Sequence, residues 1–135
     1  MNAREVQSAV IIDTSFHKTP EGVYLSFSAD VPQTSGTIVW LSRNVFDSVK
    51  SRAIDVNFHH TKRSSDAIVR VSHNTITNCS TCTYAHGKSV VVHALRNIIT
   101  DCNQGLSFAG KAVALLEDNV ITNAERVLLL VLRLL

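Results

Sequence analysis

The chain has 135 residues, of which 45% are hydrophobic and 18% charged, with a formal net charge of +2. That length allows one domain, and that apolar content offsets the ordering entropy of a folded core, which excludes a disordered chain. So small a net charge excludes a nucleic-acid or anionic-membrane partner drawn by bulk electrostatics.

In chain order, residues 1–5 lack the apolar core of a signal peptide, so no secretion address is expected there. Residues 3–7 would begin a short amphipathic cap. Then comes Ile11-Ile12-Asp13-Thr14-Ser15-Phe16, which reads apolar, two residues, a small polar residue, one residue, apolar. The form returns with Asn in the polar place in Leu41-Ser42-Arg43-Asn44-Val45-Phe46 and Val71-Ser72-His73-Asn74-Thr75-Ile76. It returns again in Ala94-Leu95-Arg96-Asn97-Ile98-Ile99 and Leu116-Glu117-Asp118-Asn119-Val120-Ile121. The key residues Thr14, Asn44, Asn74, Asn97 and Asn119 are spaced by 30, 30, 23 and 22 residues. Such a period signals a solenoid rather than an ordinary globular core.

Each repeat predicts three short strands. Five and three residues before the key position stand Ala9 and Ile11, Val39 and Leu41, Val69 and Val71, Val92 and Ala94, and Ala114 and Leu116. Alternation of side chains along a strand turns these inward and the residue between each pair outward. A second strand begins with Phe16, Phe46, Ile76, Ile99 or Ile121 facing in. The third carries Val23 and Leu25, Ile54 and Val56, Thr83 and Ala85, Leu106 and Phe108, and Val127 and Leu129, with the Thr83 rung the poorest. Three strands joined by turns give a coil of about 22 residues, and successive coils stack about 4.8 Å apart as parallel sheets. Stacked Asn side chains would bond to one another and to the turn backbone, and Asn tolerates the left-handed conformation that a sharp bend needs. The expected architecture is an all-β, right-handed, single-stranded parallel β-helix of about five coils over residues 1–135, a segment of a longer β-helix.

The units LSRNVF, VSHNTI, ALRNII and LEDNVI resemble the repeat of the pectin-lyase-like superfamily of right-handed parallel β-helices, over residues 8–131. Their repeat style is also similar, in a weaker way, to the β-helix segments of bark beetle (anakonda) type animal cell-surface proteins. The superfamily resemblance implies polysaccharide lyases, hydrolases and epimerases as well as non-catalytic adhesion proteins, so the fold alone does not assign a function. It also implies, for catalytic members, carboxylates with Lys or Arg on an outer sheet face, often with calcium.

The outward residues between the inward pairs are Val10, Trp40, Arg70, His93 and Leu115, without a carboxylate. Those preceding the key position are Asp13, Arg43, His73, Arg96 and Asp118, whose two acids lie four coils apart, roughly 19 Å by strand spacing. A two-carboxylate glycosidase needs a far shorter separation. No catalytic residue, cofactor or metal is therefore assigned. Trp40, Arg70 and His93 form the expected ligand-binding face, since an aromatic beside cationic and hydrogen-bonding groups suits a sugar ring or a partner loop; cover of Trp40 by a long loop is the competing reading. Residues 28–35 and 58–66 make the 30-residue coils longer, and His59, His60, Lys62 and Arg63 add a positive patch for an acidic sugar or carboxylate-rich partner, against the alternative of a solvated loop.

Cys79, Cys82 and Cys102, with His86 and His93, have the residue types of a zinc site. The repeat instead stacks Cys79 on Cys102, which leaves free core thiols, a Cys79–Cys102 disulfide or a metal site open. The apolar run of residues 127–135 is too short to span a bilayer and suggests end-to-end self-association. The leading expectation is a non-catalytic module for structure or recognition, binding a glycan or protein at an extracellular surface; a polysaccharide lyase or hydrolase, with acids such as Asp30, Asp47, Asp55 and Asp66, is the alternative.

Overall fold

The structure, a computed structural model, describes residues 2–4, 8–27, 38–58, 67–87 and 90–132, with side chains for 8–27, 38–58, 67–87 and 90–127. Strand β1 (Asn2–Arg4) precedes five coils of three strands. Coil 1 is β2 (Ala9–Ile12), β3 (Ser15–His17) and β4 (Val23–Phe27); coil 2 is β5 (Ile38–Ser42), β6 (Val45–Asp47) and β7 (Arg52–Phe58). Coil 3 is β8 (Ala67–Ser72), β9 (Thr75–Thr77) and β10 (Thr81–Gly87); coil 4 is β11 (Val90–Leu95), β12 (Ile98–Thr100) and β13 (Gln104–Gly110). Coil 5 is β14 (Val113–Glu117), β15 (Val120–Thr122) and β16 (Arg126–Leu132).

Like strands of successive coils pair in parallel. Sheet A runs β1-β4-β7-β10-β13-β16, sheet B β14-β11-β8-β5-β2 and sheet C β15-β12-β9-β6-β3. The described residues thus form an all-β parallel solenoid of three sheets around one core. Its register is the one the repeats imply. Ile11, Leu41, Val71, Ala94 and Leu116 lie in one column of sheet B, and Phe16, Phe46, Ile76, Ile99 and Ile121 in one column of sheet C. Stacking like on like brings the Phe16 and Phe46 rings to 4.9 Å and Phe27 and Phe58 to 4.5 Å between centroids. Such parallel aromatic pairs add to the area they remove from water.

Three expectations are corrected. Asn2–Arg4 is a strand paired with β4, so the N-terminal cover includes an extra rung of sheet A where an amphipathic cap was expected to begin at Ala3. In β16 the register sets Leu128 and Leu130, not Val127 and Leu129, opposite Leu106 and Phe108. Val127 is exposed. Leu128 follows Asn119 by the same nine residues that separate Leu106 from Asn97 and Thr83 from Asn74, so the expected pair stands one residue early, and with period-two alternation a slip of one exchanges the faces.

The third correction concerns the bends. The left-handed residue is not the key Asn but the one before it: Asp13, Arg43, His73, Arg96 and Asp118 have φ of 54°, 54°, 56°, 51° and 51°. A second left-handed corner follows at Lys18, Ser48, Asn78, Asp101 and Asn123. For residues such as Arg and His this conformation costs about 1 kcal/mol. It is held because the bend turns each backbone N–H onto the next coil, as in Arg43 N–H to Ser72 O at 3.1 Å and His73 N–H to Leu95 O at 3.0 Å.

The key Asn residues have a different task. Asn44 Nδ2 donates to Ile11 O at 2.9 Å and to Asn74 Oδ1 at 3.0 Å, while the Asn44 backbone N–H donates to the same Oδ1 at 2.9 Å. Asn74 repeats the pattern toward Leu41 O and Asn97, and Asn97 toward Val71 O and Asn119. Asn44, Asn74 and Asn97 are buried, so this ladder satisfies polar groups that would otherwise be stranded inside.

Candidate functional site

The outer face of sheet B carries an open groove of about 780 Å³ whose lining includes Trp40, Arg70, His93, Ser72, Leu115 and Glu117. Flat pairing positions its residues. Trp40 pairs with Arg70, Arg70 with His93 and His93 with Leu115, so neighbours stand about 4.8 Å apart. The predicted trio is thereby brought together on one face. Trp40 is 41% exposed, and the long loops of the competing reading lie outside the described residues. Arg70 is exposed, lines the groove and makes no salt bridge among the described residues.

A second outward row, two residues before the key position, was missed in the sequence although the same parity identifies it. Ser42, Ser72, Leu95 and Glu117 occupy it, and Ser72 Oγ donates to Ser42 Oγ at 3.2 Å. A third row, Ile38, Ile68, Val91 and Val113, makes one flank of the face apolar. The face thus combines an indole, a guanidinium, imidazoles and hydroxyls with an apolar margin, and it becomes acidic only at Glu117.

The residues at the left-handed corner form an ordered charge column along the rim. Arg43 donates from Nε and Nη2 to the two carboxylate oxygens of Asp13 at 2.7 and 2.8 Å, and Arg96 Nε lies 3.4 Å from Asp118 Oδ2. The Arg43 hydrogen bond holds the Asp13 carboxyl below its ordinary range, and Asp13 in turn raises the Arg43 guanidinium. His73 sits between these pairs and lines the groove.

On sheet A another cluster escaped the sequence reading. Arg52 Nη1 donates to Asp55 Oδ2 at 2.6 Å, Asn57 Nδ2 donates to Asp55 Oδ1, and the Arg52 guanidinium lies 4.0 Å from the Tyr84 ring centroid. The i, i+2 and i, i+3 spacings within β7 were the available signal, but the cross-strand placement of Tyr84 required the register.

The cysteines also depart from expectation. Cys82 and Cys102 form a disulfide and Cys79 is free and buried. Cys79 and Cys102 do occupy equivalent corners, and the free Cys79 thiol donates to the carbonyl two residues back, Thr77 O, at 3.3 Å. Cys82 reaches Cys102 because it lies at the inward start of β10, across the corner from it, a juxtaposition that ladder counting alone does not show. Burial pushes the Cys79 thiol up from its ordinary value. With two of the three sulfurs in a disulfide, the zinc reading loses its ligand set, and among the described residues no group of three His, Cys, Asp or Glu is placed to hold a metal ion.

His59, His60, Lys62 and Arg63 lie outside the described residues, as do Asp30 and Asp66. Among the described residues no helix is long and apolar enough to cross a membrane. Comparison with protein families, with curated proteins and with solved structures finds no match for this chain.

Proposed function

We propose that the protein is a non-catalytic β-helix module of the pectin-lyase-like type, serving in recognition at an extracellular or cell surface, and that the sheet B groove binds a carboxylate-bearing glycan. The observation that carries this reading is the exposed Trp40 indole in line with the Arg70 guanidinium and the His93 imidazole. An indole offers a flat apolar face to a pyranose ring, and a guanidinium offers a fork matched to a carboxylate. Successive sugars of an extended chain would run across the strands, along the Trp40-Arg70-His93 row.

The acids support a binding rather than a cleaving role. Asp13, Asp55 and Asp118 are engaged by Arg43, Arg52 and Arg96, and Asp47 lies 3.6 Å from the His17 imidazole. A general acid requires a carboxyl that is raised and aimed at a leaving group, whereas Asp13 is lowered by its arginine. The apolar margin of Ile38 and Val113 favours a second reading, in which an acidic loop of a protein partner fills the same groove.

Titration with uronate oligosaccharides and with neutral oligosaccharides of equal length tests the proposal. Binding should favour the uronates, and Trp40→Ala and Arg70→Ala should each weaken it about tenfold, the loss of one stacking or charge-assisted contact. Equal uronate binding by the wild type and the double variant would sink the glycan reading. Depolymerisation of a uronic-acid polymer by the wild type would replace the binding role with an enzymatic one.

A further inference from the structure

The corner between β9 and β10 carries the triplet Asn78-Cys79-Ser80, the only place in the 135 residues where an asparagine is followed two positions on by Ser or Thr with no Pro between. That pattern is the acceptor sequence for N-linked glycosylation, and its surroundings decide whether it can serve as one. Asn78 is exposed and takes a φ of 55° at the bend. Among the described residues its Nδ2 makes one hydrogen bond, to Ser48 Oγ at 3.3 Å, and a substituted amide keeps one N–H with which to make it. The ladder asparagines are the opposite case. Asn44, Asn74 and Asn97 are buried, each with Nδ2 committed to a carbonyl and to the next Asn, and two residues after them stand Phe46, Ile76 and Ile99. The exposed Asn123 shares the corner column of Asn78 but is followed by Ala124-Glu125.

Two further observations fall at the same corner. A hollow of about 520 Å³ opens beside Asn78, where Ser48, Lys50, Ser80 and Asp101 surround the buried Val49 and Cys79. Hydroxyl, ammonium and carboxylate groups around such a hollow offer the donors and acceptors that the hydroxyls of a pyranose ring take up, and there is room for one. The hollow shares no lining residue with the sheet B groove. Four residues on from Asn78, Cys82 is joined to Cys102. Such a bond forms and persists in the oxidising compartments through which secreted chains pass, and a secreted chain is the one on which this triplet acts as an acceptor.

We propose that Asn78 is an N-glycosylation site. In the transfer, Asn78 Nδ2 bonds to the anomeric carbon of an oligosaccharide carried on a lipid pyrophosphate. The bond from that carbon to the pyrophosphate oxygen breaks, the lipid pyrophosphate leaves, and Nδ2 gives up one proton. Ser80 supplies the hydroxyl that makes the triplet an acceptor. In the folded chain the glycan stands just past β9 of sheet C, whose outward row includes the exposed Val45, Ile98 and Val120. A bulky, solubilising chain at that edge shields apolar area that would otherwise invite association, while the sheet B groove stays open for its ligand. The inference rests on the extracellular setting of the recognition reading and not on what the groove binds.

Peptide mapping by mass spectrometry of the protein from its natural source, before and after treatment with peptide-N-glycosidase, reads the site. The peptide containing Asn78 should appear at its unglycosylated mass only after treatment, with Asn78 converted to Asp. The same chain, made in cultured animal cells behind a secretion signal, should lose mobility on a gel in one discrete step, in lysate and medium alike, and the glycosidase should reverse it. Asn78→Gln and Ser80→Ala should each abolish the step, and Ser80→Thr should keep it. Ser80→Ala leaves Asn78 in place, so its loss of the step separates an acceptor role from a structural one. An unmodified Asn78 in either preparation of the wild type, or a step that survives Ser80→Ala, would overturn the proposal. Uronate titration of the same preparations separates the two readings: a chain without glycan that still binds uronates removes this inference alone, and a glycosylated chain that binds none removes the groove ligand alone.

Discussion

Asn74 shows how one side chain can serve two coils at once. Its Oδ1 accepts from Asn44 N–H and Nδ2, and its Nδ2 donates to Leu41 O and Asn97 Oδ1, all within a fully buried ladder. Truncation would strand donors of Asn44 and the Leu41 carbonyl on coil 2, while Asn97 Oδ1 keeps the Asn74 backbone N–H, and each stranded group carries a desolvation penalty of about 1–3 kcal/mol. Asn74→Ala is therefore expected to lower unfolding free energy by about 3 kcal/mol or more. Asn119→Ala, at the half-made end of the ladder, should lose about 1 kcal/mol. Denaturant unfolding of the two variants measures the difference, and equal losses would mean that the ladder does not act as a buried network. The residue beside each Asn has the contrasting task of supplying the left-handed bend, so Arg43 and His73 accept backbone strain and in return project at the rim of the groove.

At the scale of elements, the short strands of sheet C gain stability from stacking rather than length. β9 has only three residues, but Ile76 is wholly buried between its neighbours in the column. The corner that follows is pinned by the Cys82–Cys102 disulfide, which closes a sequence separation of 20 residues. Restricting the unfolded chain by a loop of that size stabilises the fold by about 3 kcal/mol in the chain-entropy account. Reduction, or a Cys82→Ser and Cys102→Ser double variant, should lower the denaturation midpoint accordingly. Thiol counting checks the pairing: the unfolded, unreduced protein should react at one cysteine, Cys79, and the native protein should react slowly because that thiol is buried and its ionisation disfavoured. Fast labelling of the native protein at a second cysteine would contradict the pairing.

For the whole molecule, a solenoid has only nearest-neighbour interfaces, so stability varies along its axis. Coils 2 to 4 have neighbours on both sides and their inward columns are closed, whereas coil 5 leaves Leu116 open and Ala114 and Ile121 half-buried. Native-state amide exchange should grade in the same order, with protection highest around Phe46 and Ile76 and lowest around Ile121. Uniform protection from coil 2 to coil 5 would show that the solenoid opens as a single unit. The same gradient leaves the sheet B groove on the most secure part of the molecule: Trp40 and Arg70 stand on β5 and β8, both interior strands of their sheet. A recognition face on a rigid sheet needs little ordering when a ligand arrives.

The amino-acid sequence by itself determined the repeat, the inward columns and the outward row of Trp40, Arg70 and His93, because strand parity and a conserved chain spacing between like residues are local properties that survive without coordinates. It also placed Asn44, Asn74, Asn97 and Asn119 in one ladder, since each stands at the same offset from the inward residues of the strands before and after it. Only the tertiary structure decided the rest. Which residue of each corner takes positive φ depends on where the N–H must point to meet the next coil, and that puts the bend on His73 and leaves Asn74 to bond between coils. The partner of Cys102 depends on the path across the corner, which favours Cys82 in space although Cys79 is its equal in the repeat.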